Sequence, residues 1–286
     1  MLVSLKEVLR DAYDKGYAVG AFNCLSLENV LGAVEAAETL RSPIILQLAE
    51  VQFPCAPMEL MAPLYLQAAR NASVPVVVHL DHGQSLETCV KAIRCGFNSV
   101  MFDGAALSLA RNIDQTRQVV RIARASGVDV EAELGRVGNT GSGSDEGAGS
   151  ESEPDVYTDV EDSVLFVDRT GVDALAIAIG NRHGHYTATP RLNIARLQQI
   201  SRRNALPLVL HGGSGTSRED FKSCIHNGIS KINVATAMQM AVAERLRHYI
   251  ETTEYPDYIA VKREIMIASR DCVLEHIELF ESSSRA

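Results

Sequence analysis

The chain has 286 residues, 46% of them hydrophobic, with a net charge of −9 and a pI of about 5.4. That composition supplies one large core and excludes a nucleic-acid binder working through a basic face. A small phosphorylated ligand stays within reach, because local backbone amides can hold it. No apolar run approaches the ~20 residues that span a bilayer, and the N-terminus lacks an export-signal pattern. A cytoplasmic location with six scattered, reduced cysteines is expected.

In chain order, the first element is a short amphipathic helix with Leu2, Leu5, Val8 and Leu9 turned inward. Eight short apolar runs follow, at residues 18–24, 43–50, 75–82, 99–104, 129–135, 174–180, 207–213 and 231–236. Helix-like segments lie between them, for example Leu86, Val90 and Ile93, or Ile194, Leu197 and Ile200. Strands that are apolar throughout and alternate with helices form a parallel sheet buried on both faces. The simplest closure is a single-domain α/β (β/α)8 TIM barrel covering residues 1–286. A doubly wound open sheet competes, but no GxGxxG turn follows the first strand. Residues 136–157, rich in Gly, Ser and acids, read as a mobile loop on the face where barrels carry their chemistry. Residues 257–281 read as an extra C-terminal helix.

The C-terminal strand ends converge on one mouth. There the sequence places Asn23, Asp81-His82, Asp103, Glu131 and Glu133, the turn Gly180-Asn181-Arg182-His183-Gly184, the turn His211-Gly212-Gly213-Ser214, and Asn233 with Thr236. Three histidines from three strand ends, His82, His183 and His211, suit Zn2+ with an open coordination position. Asp81 beside them is placed to exchange a proton with a substrate hydroxyl. His79, three residues before His82, reads by alternation as facing the opposite way and as structural. His226, His248 and His276 read as ordinary surface or packing residues. The glycine-rich turn at 212–215 and Thr236 stand where barrels build phosphate sites from amides. Metal, phosphate site and carboxylate together suggest polarising a ketone while a C–C bond breaks. No lysine is placed for a Schiff base, since Lys231 begins its strand away from the mouth.

The motifs HLDHG, EAELG, AIGNRHGHY, VLHGGSG and KINVAT, in this order and spacing, resemble the class II, zinc-dependent ketose-bisphosphate aldolases. The resemblance runs from Ala21-Phe22-Asn23 to the C-terminal helix. It implies reversible cleavage of a ketose 1-phosphate or 1,6-bisphosphate to dihydroxyacetone phosphate and an aldehyde. By that resemblance His82, His183 and His211 are the zinc ligands, and Asp81 takes the C4 hydroxyl proton. Glu133 is a second-site ligand or a neighbour of the metal. Asn23 contacts substrate, and Gly184, Gly212, Ser214, Asn233 and Thr236 hold the dihydroxyacetone phosphate end. A monovalent cation such as Na+ or K+ near the phosphate, and a homodimer or homotetramer, are implied as well.

Two departures bear on substrate. The loop glutamate of the usual GGxED motif is absent at its expected spacing; Asp145, Glu146, Glu151 and Glu153 are the acids that follow. Thr187 stands where Lys or Ser often contacts phosphate, and Arg182 offers a planar fork to a carboxylate or other anion. Both suggest an unusual, for example acidic, ketose 1-phosphate. A non-catalytic barrel partner subunit is the alternative, but it predicts lost metal ligands and none is lost. A metal-dependent hydrolase would prefer an HxH pair on the first strand, which ends in Phe22-Asn23.

Overall fold

A computed structural model describes residues 1–139, 157–184 and 191–286. Eight parallel strands close into a barrel: β1 (Val19–Asn23), β2 (Ile44–Ala49), β3 (Val76–Gly83), β4 (Ser99–Phe102), β5 (Asp129–Leu134), β7 (Ala174–Ile177), β9 (Leu208–Leu210) and β10 (Ile229–Val234). Each pairs with its neighbour in chain order, and β10 closes on β1 through Val19–Lys231 to Phe22–Val234. Two short strands outside the barrel, β6 (Gly138–Asn139) and β8 (Arg182–His183), pair with each other. The predicted loop therefore starts with a paired segment; its residues 140–156 lie outside the described residues.

Several helices start where a connection ends in a side-chain cap. Ser26, Ser85, Ser217 and Asp159 accept backbone N–H groups at the starts of α2 (Leu27–Leu40), α4 (Leu86–Cys95), α8 (Arg218–Ile225) and α6 (Val160–Thr170). The remaining ring helices are α3 (Met58–Asn71), α5 (Leu109–Ala125), α7 (Ile194–Arg203) and α9 (Thr236–Thr252). The expected C-terminal helix is α10 (Tyr258–Leu279), which packs on α2 and α9. A Cβ at Gly32 would sit 2.4 Å from the Met266 carbonyl, so α10 docks on α2 at a distance only glycine allows. Among the described residues no helix is long and apolar enough to cross a membrane.

The core is layered. Outward-facing strand residues such as Val76, Val78, Leu80, Leu46 and Ile232 pack under the helices. Inside the barrel, Val19, Ala21, Ile45, Val77, Met101, Ala174 and Val209 form a separate apolar floor. The amphipathic N-terminal helix α1 (Leu5–Lys15) plugs that floor from below with Leu5, Val8, Leu9 and Ala12. Above the floor the inward residues turn polar.

Candidate metal centre

β3 brings Asp81 and His82 to the mouth together, which strict alternation forbids. Val77, His79 and Asp81 share the inward parity, so His82 should face out. Two local features turn it back. The ladder with β4 shifts register between Leu80 and Gly83, and His82 takes a left-handed φ of 43°. That conformation costs a non-glycine residue roughly 1–2 kcal/mol and persists where its surroundings hold it. Here the hold is a hydrogen bond between His82 Nδ1 and Asp103 Oδ2 at 2.9 Å. The same shift corrects the expectation for His79. It does not face away from His82; it points into the barrel and meets Ser99 Oγ at 2.8 Å.

His183 arrives on β8, braced by the pairing of Asn139 with His183. His211 follows β9 directly. The three rings meet edge to face, with centroids 4.6–5.9 Å apart, and nitrogens of all three lie within 4.8 Å of one another. A second group, His82, Asp103 and Glu133, meets the same distance limit.

Hydrogen-bond polarity shows what this cluster suits. His82 Nδ1 faces Asp103, and His211 Nε2 faces Glu131 Oε1 at 2.9 Å. A carboxylate in these bonds accepts, so both outer nitrogens carry hydrogens. The inner nitrogens, His82 Nε2 and His211 Nδ1, then face each other as lone pairs at 2.8 Å. Such a pair needs a proton or a cation to share. Nearby, Glu133 Oε2 is buried without a hydrogen-bond partner among the described residues and lies 4.0 Å from His211 Nδ1. Three imidazoles, two of them oriented from behind by carboxylates, plus an unsatisfied carboxylate oxygen fit a borderline-soft divalent cation such as Zn2+.

The charges respond to this crowding. Burial pushes the His82 ring down, but the carboxylates of Asp81, Asp103 and Glu133 outweigh it and raise it to about 10. Burial, helped by His82 and Lys231, holds His211 well below its usual range. Burial and the neighbouring Asp103 push the Glu133 carboxyl up to about 8. Burial also works against the Asp103 charge, yet the His82 hydrogen bond prevails and lowers that carboxyl.

Asp81 is fully buried and gripped by three amides. Asn23 Nδ2 and Gln47 Nε2 donate to Oδ2 at 3.0 and 3.2 Å, and Asn233 Nδ2 donates to Oδ1 at 3.0 Å. Both oxygens are thus fixed as acceptors beside the histidine cluster. Asn23 and Asn233, expected to meet substrate, are brought onto Asp81. Gln47 was not foreseen, although a lone Gln in the apolar run PIILQLAE is a visible signal.

The predicted phosphate loop follows β9, leads into α8 and meets the start of α9. Gly212 has φ 64°, and an added Cβ would lie 2.0 Å from the Arg182 carbonyl, so this turn seals against β8. The Gly213 N–H donates to the Asn233 carbonyl at 3.2 Å. Ser214 Oγ accepts the Ala237 N–H at 3.0 Å, joining the loop to the first turn of α9, where Thr236 is buried. Gly184 follows β8 directly with φ 93°. Arg182 is half-buried in β8. Thr187, His185 and the loop acids Asp145, Glu146, Glu151 and Glu153 lie outside the described residues.

Directly below the cluster runs a fully buried ionic layer that sequence reasoning missed. Lys231 sits mid-strand in β10, not at its start, and its Nζ meets Glu131 Oε2 at 2.7 Å. His79 Nε2 lies 3.6 Å from the same oxygen. Burial, and then the Lys231 charge, hold the His79 ring well below its usual range, so it stays neutral. The pairing compensates a desolvation cost of several kcal/mol per ion.

A family model described as fructose-bisphosphate aldolase class-II matches residues 3–285. The chain belongs to that family, a family of carbon–carbon lyases. It is 38% identical over 288 residues to a sulfofructosephosphate aldolase of Alkalicoccus urumqiensis, covering 99% of this chain and 98% of that one. It is 38% identical over 295 residues to a probable fructose-bisphosphate aldolase of Bacillus subtilis (strain 168), covering 100% and 99%. Among solved structures, the YdjI aldolase of Escherichia coli K12 superposes with a TM-score of 0.89 at 34% identity over the full length of both chains.

Proposed function

We propose that this aldolase uses zinc to cleave a ketose 1-phosphate reversibly into dihydroxyacetone phosphate and an aldehyde. The observation that carries this reading is the convergence of His82, His183 and His211 beside the amide-gripped Asp81 at the barrel mouth. His82, His183 and His211 would hold the ion, with Glu133 at its flank. An ion held there would supply Lewis-acid polarisation of the ketose carbonyl. Asp81 takes the proton of the C4 hydroxyl, and Asn23, Gln47 and Asn233 hold its oxygens for that transfer. Ser214, Thr236 and the amides at the start of α9 bind the C1 phosphate, favoured by the helix N-terminus, with a Na+ or K+ ion beside it. The apolar barrel floor keeps water from reaching the site from below.

At its far end the ketose carries phosphate or another anion, met by Arg182. Support comes from two relatives that split on this point, one named for a sulfofructose phosphate and one for fructose bisphosphate. The test is dihydroxyacetone phosphate release from fructose 1,6-bisphosphate, tagatose 1,6-bisphosphate and a 6-sulfonated fructose 1-phosphate, each with and without chelator. Chelator-sensitive release from at least one is expected, and the preferred one names the substrate. No release from any of them by zinc-loaded protein would overturn the reading.

A second expectation follows from charge. In the metal-free protein His82 stays protonated up to about pH 10. Because its folded value is raised, that stabilisation is complete below the usual imidazole range and is lost as pH climbs through about 10. Zinc must displace this proton. Zinc uptake at pH 7 is therefore expected to release about one to two protons per site, from His82 and from the flanking Glu133, whose carboxyl is pushed up to about 8, seen by calorimetry in buffers of different ionisation enthalpy. Identical heats in all buffers would contradict it.

The chain is further read as a cytoplasmic homodimer or homotetramer. The exposed Tyr255, Tyr258 and Ile259 at the α9–α10 turn support an assembly contact there.

A further inference from the structure

We infer that Lys231 is a positioning residue for the metal centre: acting through Glu131, it fixes which nitrogen His211 presents to the ion. The inference rests on the zinc reading above. Glu131 is a bridge with one oxygen on each side. Its Oε2 takes Lys231 Nζ at 2.7 Å, and its Oε1 takes His211 Nε2 at 2.9 Å. All of these groups are fully buried, so no solvent competes. His79 Nε2, 3.5 Å from Nζ, crowds the same layer without reaching the cluster.

An ammonium has donors only. Whatever faces Lys231 must accept. A carboxylate accepts at both oxygens, so His211 Nε2 must donate, and the Nδ1 lone pair is left for the ion. Glu131 thus sets proton placement on His211, and the lysine dictates that any group at this position turns an acceptor toward it. Replace the carboxylate by an amide and the chain of polarity inverts. Lys231 would claim the amide oxygen, the amide NH2 would face Nε2, and His211 would carry its proton on Nδ1, where the ion must bind. Remove the lysine as well, and the amide is free to turn its oxygen back to His211.

This gives an ordering that a merely structural lysine would not produce. Zinc affinity, read by competition with a chromophoric chelator, is expected to fall by about 10- to 100-fold or more in Glu131→Gln. It should recover most of that loss in Glu131→Gln/Lys231→Met, even though the double variant is further from the native sequence. The Co2+ absorption spectrum should be perturbed in the single variant and return toward native in the double. Melting of the metal-free proteins separates these effects from unfolding. Equal affinities in the two variants, or a weaker double, would overturn the inference. Wild-type protein, labelled with 15N at histidine, supplies a check that needs no variant: metal-free His211 should show its proton on Nε2, and a proton on Nδ1 with a bare Nε2 would also overturn it. Wild-type protein that holds no zinc would instead remove the metal reading, and this inference with it.

Discussion

His82→Ala is expected to empty the centre of zinc and abolish cleavage. The imidazole contributes one of three convergent nitrogens, and its partner Asp103 orients only that ring. Lewis-acid stabilisation is worth several kcal/mol in the transition state, and each 1.36 kcal/mol is a factor of ten. Loss of the ion therefore predicts a fall in turnover of about 10^3-fold or more. Zinc per chain by elemental analysis, alongside turnover, checks both halves. Full turnover with stoichiometric zinc would show that the ligands are assigned wrongly. The fold should survive, because the ring sits at the mouth and the apolar layers lie beneath it.

Asp81→Ala should separate metal binding from chemistry. The carboxylate lies next to the cluster but points its oxygens at three amides, with His82 Nε2 3.8 Å away. Zinc should remain at native stoichiometry while cleavage drops by about 10^2- to 10^4-fold, the usual worth of a positioned proton-transfer group. The amides of Asn23, Gln47 and Asn233 lose their acceptor, so a stability loss of about 1–3 kcal/mol is expected from unsatisfied donors. Thermal melting measures it and distinguishes weak chemistry from unfolding. Loss of zinc in this variant would instead make Asp81 a ligand.

Much of this was legible in sequence because barrel strands announce themselves locally. PVVVHLDHG, ALAIAIG and PLVLHGG are continuous apolar runs that end in polar groups, and parallel closure carries those ends to one rim. Hence the three histidines and Asp81 could be found together although they are far apart in the chain. What escaped depends on register between strands. Parity counting from His82 put His79 on the wrong face, since the bulge before Gly83 shifts the count by one. The β6–β8 pairing is two residues long and leaves no periodic trace. Lys231 looked like the start of a run that begins at Ile229, and its partner Glu131 is a hundred residues away. The role of Asp103 was likewise invisible until its distance to His82 was known. Each miss is a non-local pairing, which no window of residues encodes.

The plug formed by α1 beneath the barrel makes the interior a blind cup. Leu5, Val8 and Leu9 close the lower end against Val77, Ala174 and Val209, so among the described residues nothing opens to the histidines from below. On the zinc reading proposed above, ion, sugar phosphate and any sequestering agent would share the opening at the mouth. A sugar seated there would be a stopper: it would protect the ion beneath it from extraction, and a departing ion would have to wait for the sugar to leave. Loading order would then govern how the protein fares in a metal-poor surrounding, with a working, substrate-filled molecule keeping its ion longer than an idle one.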